Sequence, residues 1–464
     1  MQGVCAWVLL SSAASAVEPV DFSGAEIYAS EVDGPVGQVP WWDGFEDPLL
    51  SEAIEEGLAN NGTLASAWDR ARQADALARQ AFAPLLPSAS LDVSAASAPC
   101  DGCTALPPTF APDADEPDLL HNGSALFVAG WQVDVFGRQT AAWRASALES
   151  RAAKLDRENS EIAIAGMIAE AYLDVVTATL RVALIEDQVR AQLELLELMG
   201  LRYEQGSASG LDVLQQRQAL ARTEALLPDA VLLGETRARQ LAALVGRVPG
   251  RPVAVSGALP AVQAMPPTGR PVDLLANRPE LVAAEKRMEA QRARVLSAQL
   301  GLLPSVSLQA NAGWTALWIT ERTNDTTYGF GGGVSVPLFA GGARHSAVRQ
   351  ARAARDISTH QYNQSVRDAL ADVEGRLVTD TQRRARLDAV TTQEKASRDA
   401  YIESRDRYLE GLDPYVVVLT SQNAQQTAEL TRLQAHRDAI GARIQLHGAL
   451  GGPWTQHDRP ESRR

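Results

Sequence analysis

Leu85-Leu86-Pro87-Ser88-Ala89-Ser90-Leu91 returns 217 residues later as Leu302-Leu303-Pro304-Ser305-Val306-Ser307-Leu308. A helix does not continue through such a proline, and serine alternating with apolar residues is strand periodicity. The heptapeptide reads as a helix ending where a strand begins, and it occurs twice. The same offset relates Leu58-Ala59-Asn60-Asn61-Gly62-Thr63-Leu64 to Leu275-Ala276-Asn277-Arg278-Pro279-Glu280-Leu281. Further on, Arg202, Tyr203 and Gly206 recur as Arg407, Tyr408 and Gly411 at an offset of 205, so the order persists while loop lengths differ. A repeat of roughly two hundred residues is too long for a solenoid. Two halves related by a pseudo-symmetry axis are expected.

Each half reads helix, strand, strand, very long helix, short turn, helix. In the first, a helix is expected from Pro48 to Ala83, strands at about 88–98 and 122–136, a long helix at 139–203 and another at 211–247. In the second, a helix at 279–301 precedes strands at about 305–316 and 326–339, then helices at 343–409 and 414–450. The domain plan is therefore residues 1–16 as a signal peptide, 17–47 as an extended segment, 48–248 as the first repeat, 249–271 as a Pro-rich linker, 272–451 as the second repeat and 452–464 as a polar tail.

Ile168, Val175, Val182, Val189, Leu196 and Tyr203 recur every seventh residue, with Ala171, Ala178, Ile185 and Met199 as a second row that Gln192 interrupts. This is a heptad seam. At 1.5 Å per residue, 139–203 extends roughly 100 Å, more than a compact domain holds. A simple dimeric coiled coil leaves the strand pairs unexplained.

The strands alternate. Tyr328, Phe330, Val334 and Val336 lie opposite Gly329, Gly331, Gly333 and Ser335; Phe127, Trp131, Val133 and Val135 lie opposite Val128, Gly130, Gln132 and Asp134. An apolar, aromatic face backed by a small or polar one fits a lipid-facing barrel wall around a wet lumen, and Phe127, Trp131, Trp314, Tyr328 and Phe330 are the expected lipid-facing residues. A sheet on a soluble core fits the same strings. No run after residue 16 reads as a spanning helix; the best, around 163–185, contains Glu170, Asp174 and Arg181. Four strands cannot close a membrane barrel, and open edges in lipid are not tolerated, so membrane strands here require several chains to share one barrel.

The formal charge of −14 argues against nucleic acid. The opening MQGVCAWVLLSSAASA is a short apolar stretch ending Ala14-Ser15-Ala16, as in an export signal. The six histidines show no metal-ligand spacing, the glycine run 329–333 has no Walker lysine after it, and no catalytic constellation is found. Neither a cofactor nor an enzymatic activity is expected. Cys100 and Cys103 lie in the loop between the first two strands; a local disulfide, two free thiols and an incidental metal site are all open.

These strings resemble the TolC/NodT-type outer membrane factors over about residues 40–452. Trp41-Trp42-Asp43-Gly44-Phe45-Glu46-Asp47-Pro48-Leu49 is similar to the NodT-type start. Val133-Asp134-Val135-Phe136-Gly137-Arg138 and Val336-Pro337-Leu338-Phe339-Ala340-Gly341-Gly342 resemble the strand-to-long-helix junctions. Arg202-Tyr203-x-x-Gly206 and Arg407-Tyr408-x-x-Gly411 resemble the turns at the periplasmic tip. The resemblance implies an α+β membrane protein. It further implies a homotrimer whose chains each give four strands to a twelve-stranded β-barrel in the bacterial outer membrane, with a long α-helical tunnel in the periplasm. The implied function is a passive exit duct of a tripartite multidrug efflux pump, working with a periplasmic adaptor and an inner membrane transporter. A type I protein secretion duct is the alternative within the class, and a periplasmic coiled-coil scaffold the alternative outside it.

The resemblance also places a constriction at the tip. Asp212 matches an acidic position of the first repeat, where three copies form a carboxylate ring favouring cations; a helix-capping aspartate is the competing reading. The second repeat has Thr420 where the family often has aspartate, so its ring is absent or displaced to Asp413.

Overall fold

The computed structural model describes residues 40–99, 119–248, 250–268, 274–318 and 322–451. The expected signal peptide, most of the segment before Pro48, Cys100, Cys103 and the polar tail lie outside the described residues. The described residues form two compact units, one built on Ala71–Ala153 and Glu285–Gln361, the other on 40–70, Lys154–Ala284 and 362–451.

In the first unit β1 (Ser88–Pro99), β2 (Leu119–Val133), β3 (Ser305–Trp318) and β4 (Arg322–Ser335) pair in sequence order, all antiparallel. The second and fourth strands lie three to four residues earlier than expected from their alternation. The cause at β2 is Asp134, whose carboxylate accepts from the backbone N–H of Gln139 (3.0 Å) and Thr140 (2.8 Å) and so turns the chain into a helix. At β4 the ladder ends where Ser335 pairs with Ser305, and Pro337 just beyond has no N–H to extend it. Val135 and Val336 continue the alternation but lie outside the strands.

Four helices end beside this sheet: α2 (Gly62–Phe82), α3 (Arg138–Glu204), α7 (Pro279–Leu300) and α8 (Ala343–Leu409). Ala145, Leu148 and Ala290 form a small buried cluster between α3 and α7. Alanine there lets the two helices approach closely.

The second unit holds the main core. The opening motif supplies Trp41, Trp42 and Phe45 to a cluster with Ile168, Tyr172 and Ile444. Asp47 caps α1 (Pro48–Asn60), accepting from the N–H of Leu49 and Leu50, and also accepts from the Tyr172 hydroxyl at 2.9 Å. Tyr172 in turn accepts from Ser256 N–H at 2.8 Å, tying the linker to α3. Burial, with the Asp47 carboxylate beside it, holds this phenol above its ordinary range. A second buried anchor is the Arg443–Asp380 pair, with both guanidinium contacts at 2.7–2.9 Å.

The window of α3 that is apolar enough to cross a membrane belongs to this core, 56% of it being buried in the fold. Its charges are used internally: Arg437 reaches Asp174 at 2.8 Å and Glu170 at 3.3 Å.

The helix expected at 48–83 is two helices. Asn61 takes an extended conformation and its side chain accepts from Thr63 and Leu64 N–H, starting α2 afresh. The helix expected at 211–247 also divides, into α4 (Gly210–Glu224) and α5 (Leu226–Leu244), because Pro228 cannot donate back across the preceding turn. A short α6 (Leu274–Asn277) precedes α7, and α9 (Tyr415–Leu450) ends the second half.

The repeated Leu-Ala-Asn has a physical meaning. The end of α5 abuts the start of α2: Asn61 Nδ2 donates to Leu244 O at 2.7 Å, and a Cβ on Gly246 would lie 2.6 Å from Asn60 O. The end of α9 meets the second copy in the same way, where a Cβ on Gly451 would lie 2.7 Å from Asn277 O. Both glycines also have positive φ, +83° and +65°, so only glycine closes either seam without strain.

Candidate functional site: the sheet face and the two tip turns

The sheet register sorts the side chains. Leu91, Phe127, Ala312 and Tyr328 form one cross-strand row; Ala89, Ala129, Ala310 and Phe330 form the next on the same face. Trp131 aligns with Leu308, and Trp314 with Ala125 and Thr326. All five residues expected to face lipid therefore share one face. The opposite face carries rows such as Ser90–Val128–Asn311–Gly329 and Ser94–Ser124–Thr315–Asp325, small and largely polar.

Nothing among the described residues covers the apolar face: Tyr328 is 85% and Phe330 96% exposed, and Leu91, Val93 and Val334 are each exposed too. Leaving these five in water forfeits on the order of 10 kcal/mol. That rivals the stability of a whole domain, so the working protein covers this face. The Trp131 indole N–H donates to Leu85 O at 3.0 Å, so its polar atom is satisfied at the helix-bearing edge of the sheet. The outer edges of β1 and β4 have no partner strand among the described residues.

In the second unit the paired Arg-Tyr-x-x-Gly strings are helix stops. Ser207 N–H bonds back to Arg202 O (2.7 Å) and Gly206 N–H to Tyr203 O (2.9 Å); Leu412 N–H to Arg407 O (2.9 Å) and Gly411 N–H to Tyr408 O (3.0 Å) repeat this. Each is a Schellman motif with its glycine in the left-handed region, φ +73° and +78°.

The side chains diverge. Tyr408 is buried, lies 5.5 Å from the Tyr415 ring and donates to Met199 Sδ at 3.4 Å. Tyr203 is 54% exposed and lies over Gly210. Arg202 crosses to the other turn, donating to Leu409 O at 3.2 Å, with its guanidinium 5.0 Å from the Tyr408 ring centre. Arg407 instead grips Asp413 in its own turn, at 2.6 and 3.3 Å, and this holds the Asp413 carboxyl below its ordinary range. Asp413 is therefore not the free carboxylate a displaced second ring needs. Thr420 turns its hydroxyl back onto Val416 O at 2.8 Å.

Asp212 closes a capping box: Ser209 Oγ accepts from Asp212 N–H (3.2 Å) and Asp212 Oδ2 accepts from Ser209 N–H (3.0 Å). The helix-capping reading is thus realised in the single chain, and the side chain keeps partial exposure.

The sequence showed Gln192 only as a break in the heptads. It is buried and donates to Thr223 Oγ1 (2.8 Å) and Gln426 Oε1 (3.1 Å), while Gln216 donates to Gln192 O (2.8 Å) and Gln188 to Glu429 (3.0 Å). A polar ladder thus joins α3, α4 and α9 behind the turns. Its sequence signal was a cluster of glutamines on three helices, legible only once their register is known.

Residues 53–247 and 271–452 match the model of the outer membrane efflux protein family, one segment in each half. The chain belongs to that family. It is 30% identical to the pyoverdine export outer membrane protein OpmQ of Pseudomonas putida, over 90% of this chain and 89% of that protein. It is 27% identical to the toluene efflux pump outer membrane protein TtgF of Pseudomonas putida, over 90% and 86%. The solved outer-membrane channel OprN matches with a TM-score of 0.81 and 27% identity, covering 94% of this chain and 99% of that one. This outer membrane efflux protein has the channel fold, a four-stranded barrel segment combined with long helices, and its family is one of channels.

Proposed function

We propose that three copies of this chain close one twelve-stranded barrel and act as the passive exit duct of a tripartite pump for small molecules. The observation that carries this is the sheet itself: an apolar face left uncovered and two edges left unpaired among the described residues, with a small and polar reverse face. Lipid covers such a face, and only neighbouring chains remove such edges. Phe127, Trp131, Trp314, Tyr328 and Phe330 are assigned to lipid contact, and the face of Gly329, Gly331 and Gly333 to the lumen. The channel hydrolyses nothing; a periplasmic adaptor and an inner membrane transporter supply cargo and energy. The relatives named for pyoverdine and toluene support small cargo over a secreted protein.

Arg202, Tyr203, Gly206 and Asp212, with Arg407, Tyr408, Gly411, Asp413 and Thr420, are assigned to the constriction. Supporting this is the packing of the two turns on one another through Arg202, Tyr408 and Tyr415. In detergent the folded protein is expected at three times the chain mass, and deleting its gene is expected to sensitise cells to several amphipathic compounds. A stable folded monomer defeats the shared barrel. Unchanged susceptibility with loss of one secreted protein moves the assignment to type I secretion.

A further inference from the structure

The helix ends beside the sheet are rich in arginine, in a chain whose formal charge is −14. Residues 343–356 hold four arginines and one aspartate, and residues 138–151 hold three arginines and one glutamate. Three arginines meet at a cavity of 580 Å³ between the first turns of α3 and α8 and the last turns of α7. Arg138, Arg294 and Arg344 line it with Ser146, Ser297 and several alanines, and no carboxylate does. Arg294 reaches Glu149 at 3.2 Å from outside the cavity. Arg344 donates to Gly301 O, and neither it nor Arg138 forms an ion pair among the described residues.

Guanidinium groups gathered around one space repel each other unless an anion screens them. Their planar forks match the oxygens of a phosphate better than those of a halide. The alanines at 142, 145, 298 and 347 and Gly301 leave the space open rather than filling it with side chains. We propose that this cavity binds a phosphate-bearing anion, held by Arg138 and Arg344 with Arg294 at its rim.

Four residues separate β2 from α3 and four separate α7 from β3. In a protein whose strands cross the outer membrane, the cavity therefore stands at the level of phospholipid headgroups on the helix-bearing side. An anionic solute in the water phase is the other source of the same chemistry. The site stands on the arginine-lined cavity and does not require the trimer.

The test uses the full chain in detergent, titrated with inorganic phosphate by calorimetry and with short-chain phosphatidylglycerol by native mass spectrometry. The variants are Arg138→Gln/Arg344→Gln, the same pair changed to Lys, and Arg144→Gln outside the cavity, each first checked for heat-modifiable mobility. The wild type and Arg144→Gln are expected to bind at least one probe equally. The double Gln variant is expected to bind it at least ~tenfold more weakly, and the Lys pair to fall between. Lipid that inorganic phosphate fails to displace identifies a headgroup site; phosphate binding that also lowers single-channel conductance identifies a solute site. Absence of both probes from the wild type, or equal binding by the double Gln variant, overturns the proposal.

Discussion

The turns at 202–213 and 407–418 share a backbone and differ in almost every side-chain contact. Both stop a helix of 67 residues with a left-handed glycine and the same pair of reverse hydrogen bonds. Yet Tyr408 is buried where Tyr203 is exposed, Arg407 stays in its own turn where Arg202 crosses to the other, and Ser209 caps with its hydroxyl oxygen where Pro414 has no side-chain acceptor. Duplication preserved what the backbone demands and released what packing demands. One copy became the core where the two turns pack together, and the other became its surface.

The tyrosines give the largest expected difference. Tyr408→Ala removes a buried aromatic and is expected to cost about 3–5 kcal/mol. Tyr203→Ala is expected to cost less than about 0.5 kcal/mol. Thermal unfolding of the two purified variants measures both, and equal shifts would break the contrast between core and surface. The glycines test the shared part: Gly206→Ala and Gly411→Ala are expected to cost about 1 kcal/mol each, alike, because each forces a Cβ into the left-handed region. Unequal losses would mean that the two backbones are not equivalent.

The caps come next. Ser209→Ala is expected to cost about 1 kcal/mol, because it removes one half of the capping box. Pro414→Ala is expected to change stability by under about 0.5 kcal/mol, since no side-chain cap is lost. The same unfolding assay reads both, and a loss at Pro414 as large as that at Ser209 would erase the distinction.

The smallest effect on stability falls on the carboxylates, and it is read instead as ion selectivity of single channels in a planar bilayer. Asp212→Asn is expected to weaken block by multivalent cations and to lower the preference for small cations. Thr420→Asp is expected to strengthen both. Asp413→Asn is expected to shift selectivity toward anions, because it frees Arg407 rather than removing a free carboxylate. No change in any of the three would leave Asp212 with capping alone and put the constriction elsewhere.

What the sequence disclosed follows from how local each cause is. The Arg-Tyr-x-x-Gly strings were legible because a helix stop is written within six residues. The sheet faces were legible because strand alternation is strict, so Phe127 and Phe330 could be assigned to one side without knowing the pairing. The break at Asn61 was missed because the apolar pattern runs on through it, although asparagine is a common cap. The Arg407–Asp413 pair was missed because a spacing of six becomes close only when the chain reverses at Gly411. The burial of Tyr408 was not legible at all: Tyr203 has the same local string, and only contacts with Met199 and Tyr415 separate them.

The glycine seams at Asn60 and Asn277 make each half a closed circuit. From either seam the chain runs through a helix, two strands, a helix of 67 residues and then one or two shorter helices before it touches its own starting point. A gene encoding one such circuit could be copied in tandem without inventing any new junction beyond the linker at 249–271. In the proposed three-chain barrel, six single circuits and three fused pairs would then enclose the same wall, and fusion would mainly free the two halves to evolve apart.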